Sequence, residues 1–359
     1  MPGVSPLLTL QAIACGYKGH QVVRNLSFDV LKGEMISLLG SSGCGKTTAL
    51  RAIAGFTPLQ AGTITLGGQV ISRAGFTLPP EKRRVGMVFQ DYALFPHLTV
   101  EANVAYGLQG RAREEKRAIT RDMLHLVGLA GLKGRYPHEL SGGQQQRTAL
   151  ARALAPHPEL ILLDEPFSNL DVDLRERLSM EVRQILESQG MTGILVTHDQ
   201  HEAFAWGDKV GVLQAGGLCQ WGTPYEIYHQ PKDCFVAGFI GQGTFLSGVY
   251  VPPDGIMTGA GLLVGCQTWA GQEGDRVQVL IRPDDVVPDD ASPITARVVR
   301  RAFKGAEILY TLQLDSGCQI QSLFPSHRNH QVGESLRIRV AMEHLVAFPE
   351  STPCTLSGS

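Results

Sequence analysis

Apolar and polar residues follow two different patterns along the chain, and the change falls near residue 240. Up to about Phe239, short apolar runs typical of buried strands alternate with stretches in which apolar residues recur every three or four positions. This order predicts a largely parallel α/β sheet. The predicted strands include Met35 to Leu39, Val85 to Phe89, Leu160 to Leu163, Ile194 to Thr197 and Val210 to Leu213, and the predicted helical faces are Ile119, Met123, Leu126 and Val127, then Leu174, Leu178, Val182, Ile185 and Leu186.

Both ends of the chain depart from this pattern. Leu7 to Val30 alternates apolar and polar residues around the turn Lys18-Gly19-His20, which predicts a small antiparallel sheet. Beyond about Gly241 the helical periods disappear, and short alternating strands separated by Gly, Pro and Asp predict a small β-barrel or sandwich. These strands include Val277 to Ile281, Ile308 to Leu314 and Leu336 to Val340. We therefore expect two domains, residues 1–240 and residues 241–359.

The composition narrows the functional classes. A chain of 359 residues is long enough for two or three domains, and its apolar fraction of 43% can fill a sizeable core. The formal net charge of −2 gives no reason to expect a nucleic-acid partner. No apolar run approaches the ~18 residues that a membrane span needs, and the N-terminus lacks the pattern of a secretory signal. The seven scattered cysteines favour free thiols in a reducing compartment.

A glycine-rich loop lies between the predicted strand Met35 to Leu39 and the predicted helix Thr48 to Ala54. It fits the pattern G-x-x-x-x-G-K-[ST], whose backbone N–H groups and helix N-terminus bind phosphate. Lys46 would reach the β- and γ-phosphates of a nucleotide, and the Thr47 hydroxyl would ligate Mg²⁺. A glycine turn with a chance lysine is the alternative. The predicted nucleotide-binding residues here are Gly40, Ser41, Ser42, Gly43, Cys44, Gly45, Lys46, Thr47 and Thr48.

Two carboxylates follow the apolar run Leu160 to Leu163. Asp164 ends this predicted strand, in a position to hold Mg²⁺ through water. Glu165 comes one residue later and points elsewhere, so it can act as a general base on an attacking water. An acidic turn after a strand is the bland alternative, but a phosphate loop in the same chain favours the catalytic interpretation.

Leu140-Ser141-Gly142-Gly143-Gln144 predicts the start of a helix. Ser141 can cap the helix, and Gln144 three residues later completes a capping box. The two glycines leave the N-terminus of the helix bare, so it can face an anion. Alone, this pattern would be an ordinary N-cap.

Together, the three motifs resemble those of the ATP-binding-cassette (ABC) ATPases, whose signature motif is Leu140 to Gln144 as it stands. The resemblance covers about Leu7 to Phe239. It implies a P-loop NTPase fold with a mostly parallel sheet, an N-terminal antiparallel sheet and a helical subdomain. Further along, Ile281-Arg282-Pro283-Asp284-Asp285 resembles an element of the accessory domain of importer ATPases, which implies a regulatory β-barrel similar to the oligonucleotide-binding fold.

The resemblance assigns roles to residues that carry no signal alone. Tyr17 would stack on adenine, Gln90 would contact Mg²⁺ and sense a membrane subunit, and His198 would orient the γ-phosphate and the water. Ser168 to Asp171 matches the D-loop, with Asn169 at a position where Ala is frequent. A metal site at His198, His201 and Glu202 is the alternative, although zinc needs three or four ligands.

In this family two ATPases pack head to tail over ATP and Mg²⁺, so part of each site acts in trans. The resemblance therefore implies a homodimer at the cytoplasmic face of the inner membrane, with integral membrane permease subunits, a periplasmic or extracellular solute-binding protein and no nucleic acid. Other classes of ATPase fit the sequence less well. A DNA-repair ATPase would carry a long coiled coil, and a translation factor would carry two cassettes. A P-loop kinase would lack the signature motif. The residues expected to act in trans are Ser141, Gly142, Gly143, Gln144 and Asp171.

Two further segments bear on partners. Gln90 to Val100 is unusually apolar for a loop, and it either contacts a membrane subunit or packs inside the helical subdomain. Arg135 to Asp171 resembles the ATPases of ferric-iron importers, especially at Tyr136 to Glu139 and Gln144 to Arg147. Importers of polyamines, sulfate, thiamine, phosphonates and sugars share much of this segment. Ferric iron is the cargo that the resemblance favours.

Overall fold

The computed structural model describes residues 5–17, 19–253, 255–265 and 271–350. The chain forms two compact units, Met1–Pro224 and Tyr225–Ser359. Each unit has its own hydrophobic core. No helix in these described ranges is long and apolar enough to cross a membrane.

The first unit alternates strands and helices as the hydrophobic pattern predicts. Its strands are β1 Leu8–Tyr17, β2 His20–Val30, β3 Met35–Gly40, β4 Leu59–Leu66, β5 Gln69–Arg73, β6 Phe76–Thr77, β7 Val85–Val88, β8 Leu160–Asp164, β9 Thr192–Thr197, β10 Lys209–Gln214 and β11 Gly217–Gly222. Its helices are α1 Lys46–Ala54, α2 Val100–Ala105, α3 Arg113–Leu126, α4 Gly142–Leu154, α5 Val172–Ser188 and α6 Gln200–Trp206. Short 3-10 turns lie at Pro80–Lys82, Tyr106–Leu108, Ala130–Leu132 and Pro137–Glu139.

The central sheet of this unit has the strand order β11-β10-β3-β9-β8-β7. All of these neighbours pair in parallel except β10 and β11, which confirms the predicted, mostly parallel sheet. Because parallel strands end at the same edge, the residues that follow β3, β8 and β9 meet there. The phosphate loop, Glu165 and His198 are those residues.

A second sheet, of order β2-β1-β4-β5-β6, is antiparallel and confirms the prediction for the N-terminal segment. Lys18 of the predicted turn lies outside the described residues. One core lies between this sheet, α1 and one face of the central sheet. The other core joins the opposite face to α2, α3, α4 and α5, of which α2 to α4 form the expected helical subdomain.

The second unit is built mainly of antiparallel strands, in agreement with the expected small β domain. Its sheet orders are β14-β13-β12-β15-β21 and β16-β20-β17-β18-β19. Its helices are α7 Pro224–His229 and α8 Cys234–Phe239, and a 3-10 turn lies at Pro283–Asp285. Its strands are β12 Thr244–Val251, β13 Gly255–Thr258, β14 Gly261–Val264, β15 Arg276–Ile281, β16 Val286–Pro288, β17 Thr295–Phe303, β18 Glu307–Leu314, β19 Gln319–Pro325, β20 Ser335–Val340 and β21 Ala347–Pro349.

Among the described residues, the cysteines depart from the sequence-based expectation at Cys234, whereas Cys266 and Cys354 lie outside the described residues. Cys15, Cys44 and Cys318 are free thiols, as expected. Cys234, in α8, is disulfide-bonded. The expectation of free thiols throughout is therefore wrong at Cys234, because spacing along the sequence does not report which cysteines the fold brings together.

Candidate functional site

The phosphate loop runs from the end of β3 to the start of α1. Gly43 and Gly45 have φ values of 80° and 107°, in the left-handed region that favours glycine. A Cβ at Gly45 would also lie 3.3 Å from the carbonyl oxygen of Val22, so the loop has little room for a side chain there. The loop leads directly into the N-terminus of α1, where free backbone N–H groups and the helix dipole favour an anion.

Lys46 lies across this loop. Its Nζ donates to the carbonyl oxygens of Gly40 and Ser41, at 2.7 and 3.1 Å, and the residue is 4% exposed. Cys44 is 5% exposed, and its Sγ would lie only 2.7 Å from a Cβ at Gly40. The ammonium group is thus held against the loop backbone, whereas the thiol packs into the core under the loop.

The next residue, Thr47, connects the loop to the end of β8. Its Oγ1 donates a hydrogen bond to Oδ1 of Asp164 at 2.7 Å. Burial raises the pKa of the Asp164 carboxyl above its ordinary value, and the Thr47 hydrogen bond opposes this rise. A cavity of about 440 Å³ opens beside this pair, with a lining of Thr47, Arg51, Phe89, Gln90, Asp91, Asp164 and Asn169.

Glu165 and His198 meet at the same sheet edge. The backbone of Glu165 has a left-handed φ of 45°, and its N–H donates to Val196 O of the neighbouring strand β9 at 2.9 Å. After this turn, Glu165 Oε2 lies 3.0 Å from Nδ1 of His198. The Glu165 side chain is 20% exposed and that of His198 is 51% exposed, so the pair is accessible to solvent.

The loops after β7 and β8 are hydrogen-bonded to each other near Glu165 and His198. Gln90 Nε2 donates to Ser168 Oγ at 3.4 Å, and Asn169 Nδ2 donates to the carbonyl oxygen of Gln90 at 3.2 Å. Asp171 ends the second loop and caps α5 by accepting a hydrogen bond from the N–H of Leu174 at 3.0 Å. Gln90 and Asn169 both line the cavity that Thr47 and Asp164 line.

The helix α4 begins with the predicted capping box. Ser141 Oγ accepts from the N–H of Gln144 at 3.4 Å, and Gln144 Oε1 accepts from the N–H of Ser141 at 3.0 Å. Ser141 and Gly142 are exposed, whereas Gly143 is buried and a Cβ there would lie 3.0 Å from Leu178. A small residue is thus required at Gly143 for packing within this chain, and the exposed first turn is open to a ligand or partner.

The remaining candidates are Tyr17, which precedes the phosphate loop along the chain, and Thr48, which follows it. Tyr17, at the end of β1, is 45% exposed, and its hydroxyl lies 3.2 Å from Oγ1 of Thr57. Thr48, in the first turn of α1, is only 8% exposed. The Tyr17 ring is available for stacking, whereas the Thr48 side chain is mostly withdrawn from solvent.

Arg152, on the signature helix α4, has a role in the site region that the sequence did not reveal. Its guanidinium donates to the carbonyl oxygens of Tyr92 and Ala93 at 2.8 and 2.7 Å, and it lies over the ring of Phe95. It holds the segment Gln90 to Val100 against that helix. Tyr92 is 5% exposed, which favours internal packing at that residue, whereas Phe95 is only partly buried.

Two further arginines near the site, Arg83 and Arg175, could not be recognised from the sequence. Arg83 is 2% exposed and donates to backbone carbonyls at the end of α1, the helix that carries the phosphate loop. Arg175 links the loop after β8 to the residue that follows His198. A lone arginine beside a motif gives no sequence signal, because most arginines are solvated surface residues.

The comparisons with known proteins agree with this geometry. The chain matches the family described as ABC transporter over residues 23–168, and the family described as TOBE domain over residues 279–348. A spermidine/putrescine import ATP-binding protein of Marinobacter nauticus is 40% identical over 325 residues, which cover 88% of this chain and 86% of the relative. A relative from Aliivibrio fischeri, with the same description, is 41% identical over 350 residues, which cover 94% of this chain and 93% of the relative. An Fe(3+) ions import ATP-binding protein of Rhizobium meliloti is 47% identical over 277 residues, covering 75% and 68%.

These relatives are ATP-binding proteins of importers, and two of them match the chain over most of its length, through the C-terminal β domain. The matched segment 23–168 contains the phosphate loop, the signature helix and both carboxylates of β8 and its following turn. Fold, motifs and relatives agree, and the chain belongs to the ABC transporter family as the ATPase subunit of an importer.

Proposed function

We propose that ATP is hydrolysed at the edge of the central sheet, with Glu165 as the general base and His198 as the residue that orients the γ-phosphate and the attacking water. The observation that carries this assignment is the 3.0 Å contact between Glu165 Oε2 and His198 Nδ1. A carboxylate at hydrogen-bond distance from an imidazole, both open to solvent, can accept a proton from water. Lys46 would stabilise the charge on the β- and γ-phosphates.

The residues around Thr47 fit Mg²⁺. The Thr47 hydroxyl and the Asp164 carboxylate are oxygen ligands of the kind that Mg²⁺ prefers, and they lie 2.7 Å apart on the wall of the cavity. Gln90 lines the same cavity and supplies an amide oxygen. These residues would hold the ion, whose charge offsets that of the phosphate oxygens. Tyr17, at the end of β1, would hold the adenine by stacking.

We also propose that the working form is a homodimer in which the signature helix of one copy completes the site of the other. The exposed N-terminus of α4 supports this arrangement, since its free N–H groups suit a phosphate and Ser141 and Gly142 are open to solvent. Gly143, Gln144 and Asp171 would act from the same copy as Ser141. Residues 1–240 would form the ATPase domain, and residues 241–359 the accessory domain.

The dimer would work with membrane permease subunits and a solute-binding protein on the far side, and it would lie on the cytoplasmic face of the inner membrane. The relatives support these partners, because each is described as an import ATP-binding protein. The partly exposed Phe95 and the exposed Pro96 and His97, next to Gln90, form the surface that we assign to the permease.

Ferric iron is the first cargo that we propose. The Rhizobium meliloti relative, described as an importer of Fe(3+) ions, has 47% identity and supports it. Polyamines are the second candidate, because the relatives that match through the C-terminal domain are described as spermidine/putrescine importers. An importer's ATPase does not contact its cargo, so the site geometry itself favours neither.

Substitution of the general base tests the hydrolytic assignment. Glu165→Gln should keep ATP affinity and lower kcat by about 10²–10⁴-fold, because the amide cannot accept the proton from water. Glu159→Gln is the matched control. Glu159 lies directly before β8, whereas Glu165 lies directly after it, and Glu159 pairs with Arg84 on the surface. Near-normal hydrolysis by Glu165→Gln would refute the assignment.

Mixing two inactive chains tests the shared site. Lys46→Ala and Ser141→Arg chains should each be inactive, and a mixed dimer has one doubly altered site and one intact site. ATPase activity should therefore return in part on mixing. A mixture as inactive as its parents would contradict the arrangement in trans.

Uptake measurements decide the cargo. Deletion of the gene should abolish uptake of labelled Fe³⁺ under iron limitation, and the Lys46→Ala chain should fail to restore it. Unchanged iron uptake with loss of spermidine uptake would replace ferric iron by a polyamine and leave the ATPase assignment intact.

A further inference from the structure

Arg175 connects two loops of the site from the first turn of α5. Its Nη1 donates to Oδ2 of Asp199 at 3.2 Å, and its Nη2 donates to the carbonyl oxygen of Leu170 at 3.1 Å. The two side chains of the ion pair are 22% and 28% exposed, so both are mostly withdrawn from solvent. A guanidinium suits this geometry, because its planar fork can bind two acceptors at once.

One of these acceptors controls the backbone next to His198. Asp199 follows His198 directly and caps α6, with Oδ1 accepting from the N–H groups of His201 and Glu202 at 2.9 and 3.2 Å. Its own N–H donates to Thr197 Oγ1 at 3.0 Å. The carboxylate that Arg175 holds is therefore the group that fixes where the chain turns after β9.

The other acceptor belongs to the loop that starts at Glu165. The N–H of Ser168 and its Oγ both donate to the carbonyl oxygen of Glu165, at 3.3 and 3.0 Å. The N–H of Leu170 donates to Phe167 O at 3.1 Å. Leu170 thus ends a compact turn whose first residue is the proposed base.

We propose that Arg175 is a positioning residue that keeps the Glu165 carboxylate in register with the His198 imidazole. The inference rests on the roles proposed above for Glu165 and His198. The two residues extend from neighbouring strands into separate turns, and Arg175 binds one acceptor in each turn. Their 3.0 Å contact depends on both turns keeping their relative position.

The physical argument favours an effect on catalysis over one on stability. A partly exposed ion pair contributes little to the free energy of folding. In contrast, a displacement of about 1 Å between reacting groups can lower a rate by about 100-fold. Within the described residues, Arg175 forms no hydrogen bond or ion pair with Lys46, Thr47 or Tyr17, so nucleotide binding should be spared.

The test is kcat and ATP affinity of the full chain with Arg175→Ala. We expect kcat to fall by about 10- to 100-fold, with an ATP dissociation constant within about threefold of that of the original protein. Arg175→Lys should recover only part of kcat, because an ammonium group lacks the planar fork. Asp199→Ala should lower kcat at least as much as Arg175→Ala, because it removes the same link and also the cap of α6. The double variant should be no worse than Asp199→Ala alone, since the link is already lost there.

Arg183→Ala is the matched control. Arg183 lies on the same helix and holds it to the end of α6, through Asp208 at 2.7 Å and the carbonyl oxygen of Trp206. Its kcat should stay near that of the original protein. An equal loss in Arg183→Ala, or loss of ATP binding in Arg175→Ala, would show that α5 has only a packing role and would overturn the inference.

Glu165→Gln, measured in parallel, separates the two proposals. An inactive Glu165→Gln with a fully active Arg175→Ala would overturn the positioning role and leave the proposed base in place. A fully active Glu165→Gln would instead overturn the proposed base itself.

Discussion

Replacement of Arg83 by methionine should strongly destabilise the ATPase unit. Arg83 is 2% exposed, and burial lowers the pKa of its guanidinium to about 10. Methionine has a similar length and no hydrogen-bond donor, so the change removes the hydrogen bonds and keeps most of the volume. The guanidinium donates to the carbonyl oxygens of Leu78, Ala52, Ile53 and Ile71 and to Oγ of Ser72, at 2.6, 2.9, 2.7, 3.1 and 2.6 Å.

The size of the effect follows from these acceptors. Ala52 O and Ile71 O also accept from backbone N–H groups, so they keep a partner. The other three lose the bond from Arg83, and each buried acceptor left without a donor costs about 1–2 kcal/mol. Removal of an unfavourably buried charge offsets part of this sum, which leaves a loss of about 2–4 kcal/mol in the free energy of unfolding. For a unit of this size, that loss lowers Tm by about 4–16 °C.

Thermal unfolding followed by tryptophan fluorescence measures this loss, because Trp206 is fully buried in the ATPase unit. Arg84→Met is the control. The Arg84 side chain is 70% exposed and pairs with Glu159 on the surface. Such an exposed ion pair contributes only about 0–1 kcal/mol to the free energy of unfolding. If the two variants unfold within about 2 °C of each other, the hydrogen bonds of Arg83 are replaceable and the reasoning is wrong.

Two further predictions follow from buried groups near the site. Burial raises the pKa of the Glu202 carboxyl to about 7 from its ordinary value of 4.5, so the native state holds the extra proton and stability should fall as pH rises through this window. Glu202→Gln should flatten that fall in urea unfolding between about pH 5 and about pH 8, and an unchanged slope would contradict the assignment. Cys44 is 5% exposed, so a thiol reagent should label it much more slowly than the partly exposed Cys318, as peptide mass spectrometry can measure. Equal rates would mean that the loop opens readily.

Much of this protein could be predicted from the sequence, because the informative features are local along the chain. The phosphate loop needs adjacent glycines and a lysine at fixed spacing, and a capping box needs residues three positions apart. The strand that ends at Asp164 and the helix that begins after Ser141 follow from hydrophobic period and capping chemistry. The contrast between the α/β part and the β part follows in the same way.

The tertiary structure alone decided which distant residues meet. Thr47 and Asp164 lie 117 positions apart and share a hydrogen bond, because parallel strands bring their ends to one edge. The same edge brings Glu165 to His198, and it allows Arg175 to reach a residue from each turn. Burial of Arg83 and the disulfide at Cys234 carry no sequence signal at all. The spacing of neighbouring residues determines the backbone that each motif adopts. Contacts between residues far apart in the chain depend on tertiary packing, which no short segment of the sequence reveals.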